Sequence, residues 1–311
     1  MNSQVVKSNV LRVAIASRPK FFSAAVSPVL VGSCLGFAVS SSFDVPVFAA
    51  ALIAMILIHA GANLSNDYFD HVSKNDWINE NVTPFSGGGR SIQNDLLSPK
   101  AVLLAALVML TFGAVLGIGI VLATQNWFVL AVGVVGCLGA FFYTAGPVKL
   151  GYRTVGEVII FFLFGVLPVY AAYTLQARPF LLSPLLPACI VGILIFLVIL
   201  INEFPDMAAD RAVQKKTIVV RFGAPAAVWV YRVVLALSYL IALAMLLLRQ
   251  MRYAGALYML TLPLGVQAWV QTNPELLVRP QQFQGCRTTV MLHAAGSLAL
   301  AIGFIVAGVR G

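Results

Sequence analysis

Charge is what this sequence has least of. Only 10% of its 311 residues are Asp, Glu, Lys or Arg, and just 11 are acidic, against about a quarter charged in an ordinary soluble domain. A buried globular core does not account for so large a deficit. Cysteine is scarce as well. Cys34, Cys137, Cys189 and Cys286 are scattered without CxxC spacing, which excludes a disulfide framework and a zinc site. The basic residues number 20 and give a net charge of +9. They are spread over loops rather than gathered in a patch, so they do not form a nucleic-acid surface. Histidine occurs three times. His71 sits near a loop and His293 stands alone in the last apolar run, so both read as structural.

What the chain does contain is apolar length. It is 60% hydrophobic, with a mean hydropathy of +0.93. A spanning helix needs about 20 mostly apolar residues, and nine stretches meet that measure, near 20–40, 46–66, 99–122, 126–145, 155–175, 184–203, 225–247, 254–271 and 288–309. The first is longer than a signal-peptide core and more spans follow it, so it reads as a helix rather than a cleaved leader. The expectation is an all-α polytopic membrane protein. Its nine helices would form two four-helix groups around a central cavity, plus one further helix, in a single integral-membrane domain over residues 1–311. Placing the N-terminus in the cytoplasm puts fifteen basic residues, Lys7 among them, on that side. The other side then holds four, Arg178, Arg249, Arg252 and Arg310, as the positive-inside rule requires. The expected location is the inner membrane, with both acidic clusters facing the cytoplasm.

Those clusters carry the chemistry. Asp67, Asp70, Asp76 and Glu80 follow the second span; Glu203, Asp206 and Asp210 follow the sixth. Asn66-Asp67-Tyr68-Phe69-Asp70 and Asn202-Glu203-Phe204-Pro205-Asp206 share the pattern Asn-acid-aromatic-x-Asp. This internal echo suggests a site built between two halves of a membrane protein. His59, Asn63, Asn66 and Asp70 recur at helical spacing and share one face, as do Asn202, Asp206 and Asp210. Pro205 removes an N–H from its helix and frees a carbonyl. Facing carboxylates cannot all stay ionised in a low-dielectric cavity without a counter-charge. A hard cation supplies it, and magnesium characteristically takes one or two carboxylates plus phosphate oxygens. The expected metal ligands are Asn66, Asp67, Asp70, Asn202, Asp206 and Asp210. Loops on the same side supply cations and donors for a diphosphate, namely the glycine run ending at Arg90, Tyr143, Lys149, Arg153 and Lys216 with Lys215 and Arg221 beside it, and Asn63 adds a donor from the second helix. Capping and solvated loop charge explain one acid per helix end, but not the repeat.

These residues resemble the UbiA-type intramembrane prenyltransferase superfamily over about residues 15 to 225. Asn66-Asp67-x-x-Asp70 and Asp206-x-x-x-Asp210 match its paired motifs. Tyr143-Thr144-Ala145-Gly146-Pro147, Tyr152 through Glu157, and Lys216 through Gly223 are most similar to the menaquinone-pathway 1,4-dihydroxy-2-naphthoate polyprenyltransferases. The resemblance implies a membrane enzyme using Mg2+ to ionise a polyprenyl diphosphate, whose allylic cation is attacked by a small aromatic acceptor. Phe141, Phe142, Phe161 and Phe162 would shelter the cation or the tail. His59, Asp76 and Glu157 would handle the acceptor's proton. Transfer to 4-hydroxybenzoate or another lipid acceptor, a terpene cyclase of the same fold, and a membrane transporter remain open at this stage.

Overall fold

The computed structural model describes residues 8–177, 184–249, 251–279 and 283–310; Lys7 and Arg178 of the charge count lie outside them. The described residues form helices and no strand. A short helix α1 (Asn9–Ala16) leads into α2 (Ser23–Ser40) and α3 (Val45–Val72), then the one-turn α4 (Asn75–Ile78). Next come α5 (Pro99–Thr124), α6 (Trp127–Phe142), α7 (Gly156–Gln176) and α8 (Leu185–Ala212). The chain finishes with α9 (Ile218–Phe222), α10 (Ala224–Leu246), α11 (Arg252–Met259), α12 (Leu262–Gln271), α13 (Pro274–Leu277) and α14 (Gln284–Arg310).

Local chemistry sets the starts. Asp44, Ser98 and Asn126 each accept a hydrogen bond from the third backbone N–H beyond them, capping α3, α5 and α6, and Pro46 and Pro99 occupy first-turn positions where a missing N–H costs nothing. Seven helices among the described residues are long and apolar enough to cross a membrane: α2, α3, α5, α7, α8, α10 and α14.

The other two expected spans differ. The run at 126–145 yields α6, whose 16 residues reach about 24 Å, short of the roughly 30 Å hydrocarbon layer. The run at 254–271 is broken into α11 and α12 at Leu260-Thr261. Pro263 opens α12, and a proline there disfavours continuing the preceding helix.

Two helices run past their apolar windows. α3 continues to Val72 and α8 to Ala212, so both acidic motifs lie on helix rather than loop. Pro205 sits inside α8, and the carbonyl it leaves free, that of Ile201, accepts from Cys286 Sγ at 3.5 Å. In α7, Pro168 withholds the N–H that Phe164 would have bonded, and Phe162–Val166 winds as a π-turn.

Apolar burial gives helices little reason to associate inside lipid, so close backbone packing does that work. A Cβ on Gly32 of α2 would lie 2.2 Å from the Val169 carbonyl of α7, and one on Gly165 of α7 would lie 2.2 Å from Gly192 Cα on α8. α3 packs along α5, and α10 along α8. α14 packs on both α2 and α11, which closes the helices into a ring. Leu104, Phe112, Leu122, Trp229 and Leu240 point outward and exposed, an apolar exterior suited to lipid.

Candidate active site

The ring encloses a cavity of about 210 Å³ between α3, α7, α8 and α14. Its mouth is polar. Asn66 and Asp70 from α3 face Asn202, Glu203, Asp206 and Asp210 from α8. Its deeper walls are apolar, with Ile160, Leu163, Phe164, Ile195 and Val198. The helical phase read from sequence holds, since His59, Asn63, Asn66 and Asp70 all line the cavity.

The mouth is cross-linked between the halves. The segment after the first motif bonds the second: Asn75 Nδ2 donates to Asp210 Oδ1 at 2.9 Å, Asn79 Nδ2 to Asp206 Oδ1 at 2.7 Å, and the Gly87 N–H to Asp206 Oδ2 at 3.1 Å. Conversely, Tyr152 from the loop after α6 donates its hydroxyl to Asp70 at 3.0 Å. Lys215, just after α8, bridges Asp70 at 3.9 Å and Asp210 at 3.3 Å.

Several expected site residues stand elsewhere. Asp67 is buried behind the cavity wall, ion-paired with Arg18 and accepting from the Gly89 N–H at 2.9 Å and Ser91 Oγ at 3.0 Å. Arg90 donates to the Asp76 carbonyl and staples the loop. Lys149 is exposed and lies over the Tyr152 ring at 4.8 Å. Arg153 is exposed and turned back to the Val148 carbonyl. Lys216 is also exposed, and its backbone bonds Tyr152 and Thr154. Glu157 accepts from the Ile218 N–H at 2.6 Å, which ties α7 to α9 instead of opening to the cavity.

The glycine run does not hold its N–H groups free for phosphate: those of Gly87 and Gly89 bond the two acidic motifs. Positive φ at Gly87 and Gly88, +80° and +76°, is the reason for glycine there. Of the expected aromatic shelter, Phe141 packs on Phe69 and Phe142, Phe161 packs on Phe162, and none of the four lines the cavity; Phe21, Phe85, Phe164 and Tyr143 do.

Sequence reasoning passed over Arg18, Asn75 and Asn79 and read His293 as structural, yet all four line the cavity. For Asn75 and Asn79 a signal existed: asparagines at 75, 79 and 81, interleaved with Asp76 and Glu80. Lys215, which also lines the cavity, was not told apart from Lys216 and Arg221 beside it. The turn at Gln214, with φ +59°, sends Lys215 inward and Lys216 outward.

The charge balance fits a cation. Asp76 is nearly inaccessible to solvent, and burial, together with the charges of Asp70 and Asp67, pushes its carboxyl up to about 8. Burial pulls the Lys215 ammonium down, but Asp210 and Asp70 outweigh it and hold the group well above its ordinary value. Arg18 is held up in the same way by Asp67. Even so, buried oxygens remain without partners: Asp76 Oδ2, Asp210 Oδ2, Asn202 Oδ1 and Glu203 Oε2. Orphaned hard oxygen donors of this kind suit a divalent cation. Among the described residues no three Asp, Glu, His or Cys side chains form a ready-made cage. That arrangement suits magnesium held by one or two carboxylates and completed by phosphate oxygens and water.

The model of the UbiA prenyltransferase family matches residues 25–284. The chain belongs to that family. It is 29% identical over 295 residues to the 2-carboxy-1,4-naphthoquinone phytyltransferase of Synechocystis, covering 94% of this chain and 92% of that one. It is 28% identical to the 1,4-dihydroxy-2-naphthoate octaprenyltransferase of Haemophilus influenzae, covering 92% and 94%. The fold is shared with the Archaeoglobus fulgidus UbiA homologue solved with DMAPP and Mg2+, at a TM-score of 0.67 and 16% identity over 94% of this chain and 99% of that one. This UbiA-family chain is therefore a multi-pass membrane prenyltransferase.

Proposed function

We propose that this protein transfers a polyprenyl group from its diphosphate to 1,4-dihydroxy-2-naphthoate, with decarboxylation, in menaquinone biosynthesis. The observation that carries the reading is a polar mouth with two facing acidic motifs and unpaired oxygens, set directly over an apolar cavity. A diphosphate with a hydrocarbon tail has that division of chemistry. The naphthoate acceptor is supported by the names of the relatives from Synechocystis and Haemophilus influenzae.

Asn66, Asp70, Asn202, Asp206 and Asp210 would hold Mg2+, with Asp67 fixed behind them by Arg18. When bound, the metal offsets charge on the departing diphosphate. Lys215 and Arg18 add fixed positive charge at the same mouth, already oriented by their ion pairs, which is electrostatic preorganisation. The apolar walls exclude water from the allylic carbon. The prenyl C–O bond breaks, and the ring carbon bearing the carboxylate forms the new C–C bond. The carboxylate then leaves as carbon dioxide, and its bonding electrons restore the ring. No ring proton has to be removed, which agrees with a deep cavity free of ionised bases. The finer topology belongs to the same proposal. It makes the whole chain one integral-membrane unit, with α6 and the α11–α12 pair completing nine crossings. The N-terminus and both motifs face the cytoplasm at the inner membrane.

The test uses purified protein, a polyprenyl diphosphate and carboxyl-labelled naphthoate. Labelled carbon dioxide released in step with prenylated product is the expected result. Prenylation of 4-hydroxybenzoate with the naphthoate untouched would overturn the acceptor while leaving the reaction class.

A further inference from the structure

The deep cavity contains one feature that binding a diphosphate and a hydrocarbon tail leaves unexplained. His59 from α3 and His293 from α14 both line it, at 6% and 1% exposure. Neither imidazole makes a hydrogen bond to any described residue, and His59 Nδ1 and His293 Nε2 are wholly buried without a partner. The other unpaired cavity atoms sit at the mouth among the acids; these two lie far beneath it. His59 is eleven residues before Asp70 on α3, about 16 Å along the helix axis, and His293 is nine residues into α14, about 14 Å. The two rings therefore come from different helices, at similar depth, into one apolar chamber. Phe22 and Phe164 flank His59 at ring-centroid distances of 5.7 and 4.8 Å.

A buried polar nitrogen without a partner destabilises the protein, and two of them in one cavity point to a ligand. The donor's tail does not answer this need, because an isoprenoid chain carries no hydrogen-bonding group. A neutral imidazole offers one donor and one acceptor, and so does a ring hydroxyl. Flat aromatic walls beside it suit a flat ring. We propose that His59 and His293 bind the two hydroxyl groups of the aromatic acceptor, one from each side of the chamber. They thereby select a dihydroxylated ring and set which ring carbon faces the prenyl carbon. This rests on the prenyl-transfer reading above and deepens it, since it names the residues that recognise the acceptor. The depth gives the order of occupancy along the cavity, with diphosphate at the mouth, allylic carbon below it and acceptor ring against the imidazoles.

The experiment measures KM for donor and acceptor separately in full-length protein carrying His59→Leu, His293→Leu, His59→Asn or His293→Gln. Each leucine variant should raise the acceptor KM about tenfold and leave the donor KM within about twofold, the unchanged donor KM reporting an intact fold. The amide variants keep a donor and an acceptor, so they should recover most of the loss. Hydroxynaphthoates lacking either hydroxyl, tested as competitive inhibitors of the unaltered protein, should bind about tenfold more weakly than their dihydroxy counterpart. That arm stands whether or not the leucine variants fold. Equal inhibition by all of them, or an acceptor KM that leucine does not move, would overturn the proposal while the reaction stands. Failure of the unaltered protein to prenylate any hydroxylated ring would overturn both.

Discussion

The two acidic motifs read alike in sequence and are held differently in space. The first, on α3, is neutralised by charge and by hydroxyl groups. Asp67 pairs with Arg18, and Asp70 takes the Tyr152 hydroxyl and the Lys215 ammonium, with Asn66 Nδ2 at 2.9 Å. The second, on α8, is held mainly by amides, Asn79 and the Gly87 N–H on Asp206 and Asn75 on Asp210, and shares the Lys215 ammonium, which lies 3.3 Å from Asp210. Each motif is braced by chain that follows the other. A sequence repeat has thus become a structural asymmetry, in which the first motif is held by Arg18, Tyr152 and Lys215 while the second keeps an unpaired carboxylate oxygen on Asp210. The repeat marks where the carboxylates stand, and the loops decide how fully each is paired.

If the motifs act as equal partners despite that asymmetry, Asp70→Asn and Asp206→Asn should each lower kcat/KM at least hundredfold, and chelation of divalent cations should abolish turnover until Mg2+ is restored. Product formation at equal expression checks this. Near-normal turnover in one variant would show that only the other motif serves the metal. The shared cation comes next: Lys215→Met should cost about hundredfold, because it leaves two facing carboxylates without their common counter-charge. Asn79→Ala and Tyr152→Phe probe the bracing itself, and each should cost about tenfold. Both should raise the Mg2+ concentration needed for half-maximal rate, although each is anchored beside the opposite half. The smallest effect is expected at two loop cations that the sequence had offered as diphosphate ligands. Lys149→Met and Lys216→Met, on exposed side chains, should change turnover less than about threefold.

That last contrast shows what was legible. Apolar length located the spanning helices, and a period of 3.6 gave the inward face of α3, because one side of a helix must answer to one environment along its length. It located Asp70, Asp206 and Asp210 for the same reason. It failed where the chain leaves helix. Lys215 and Lys216 are neighbours whose directions are set by a positive φ at Gln214, and no period carries across such a turn. Arg18 reaches Asp67 from 49 positions away, and His293 shares a cavity with His59 only because α14 folds back on the ring. Contacts between distant segments are written in tertiary packing. The interrupted α11–α12 run was missed because composition alone does not weigh Pro263 against the apolar residues around it.

The closure of the ring by α14 has a consequence for how the protein is made. α2 is synthesised well before α7 and α14, yet those two helices are its main neighbours. Its Gly32 face, shaped for backbone contact with α7, must therefore wait in the bilayer or beside the insertion machinery until its partners arrive. His293 enters the chamber only with α14, which follows the other cavity-lining helices in the chain. The wall that carries it is consequently the last to join the cavity, and the chamber closes only when α14 packs back against α2.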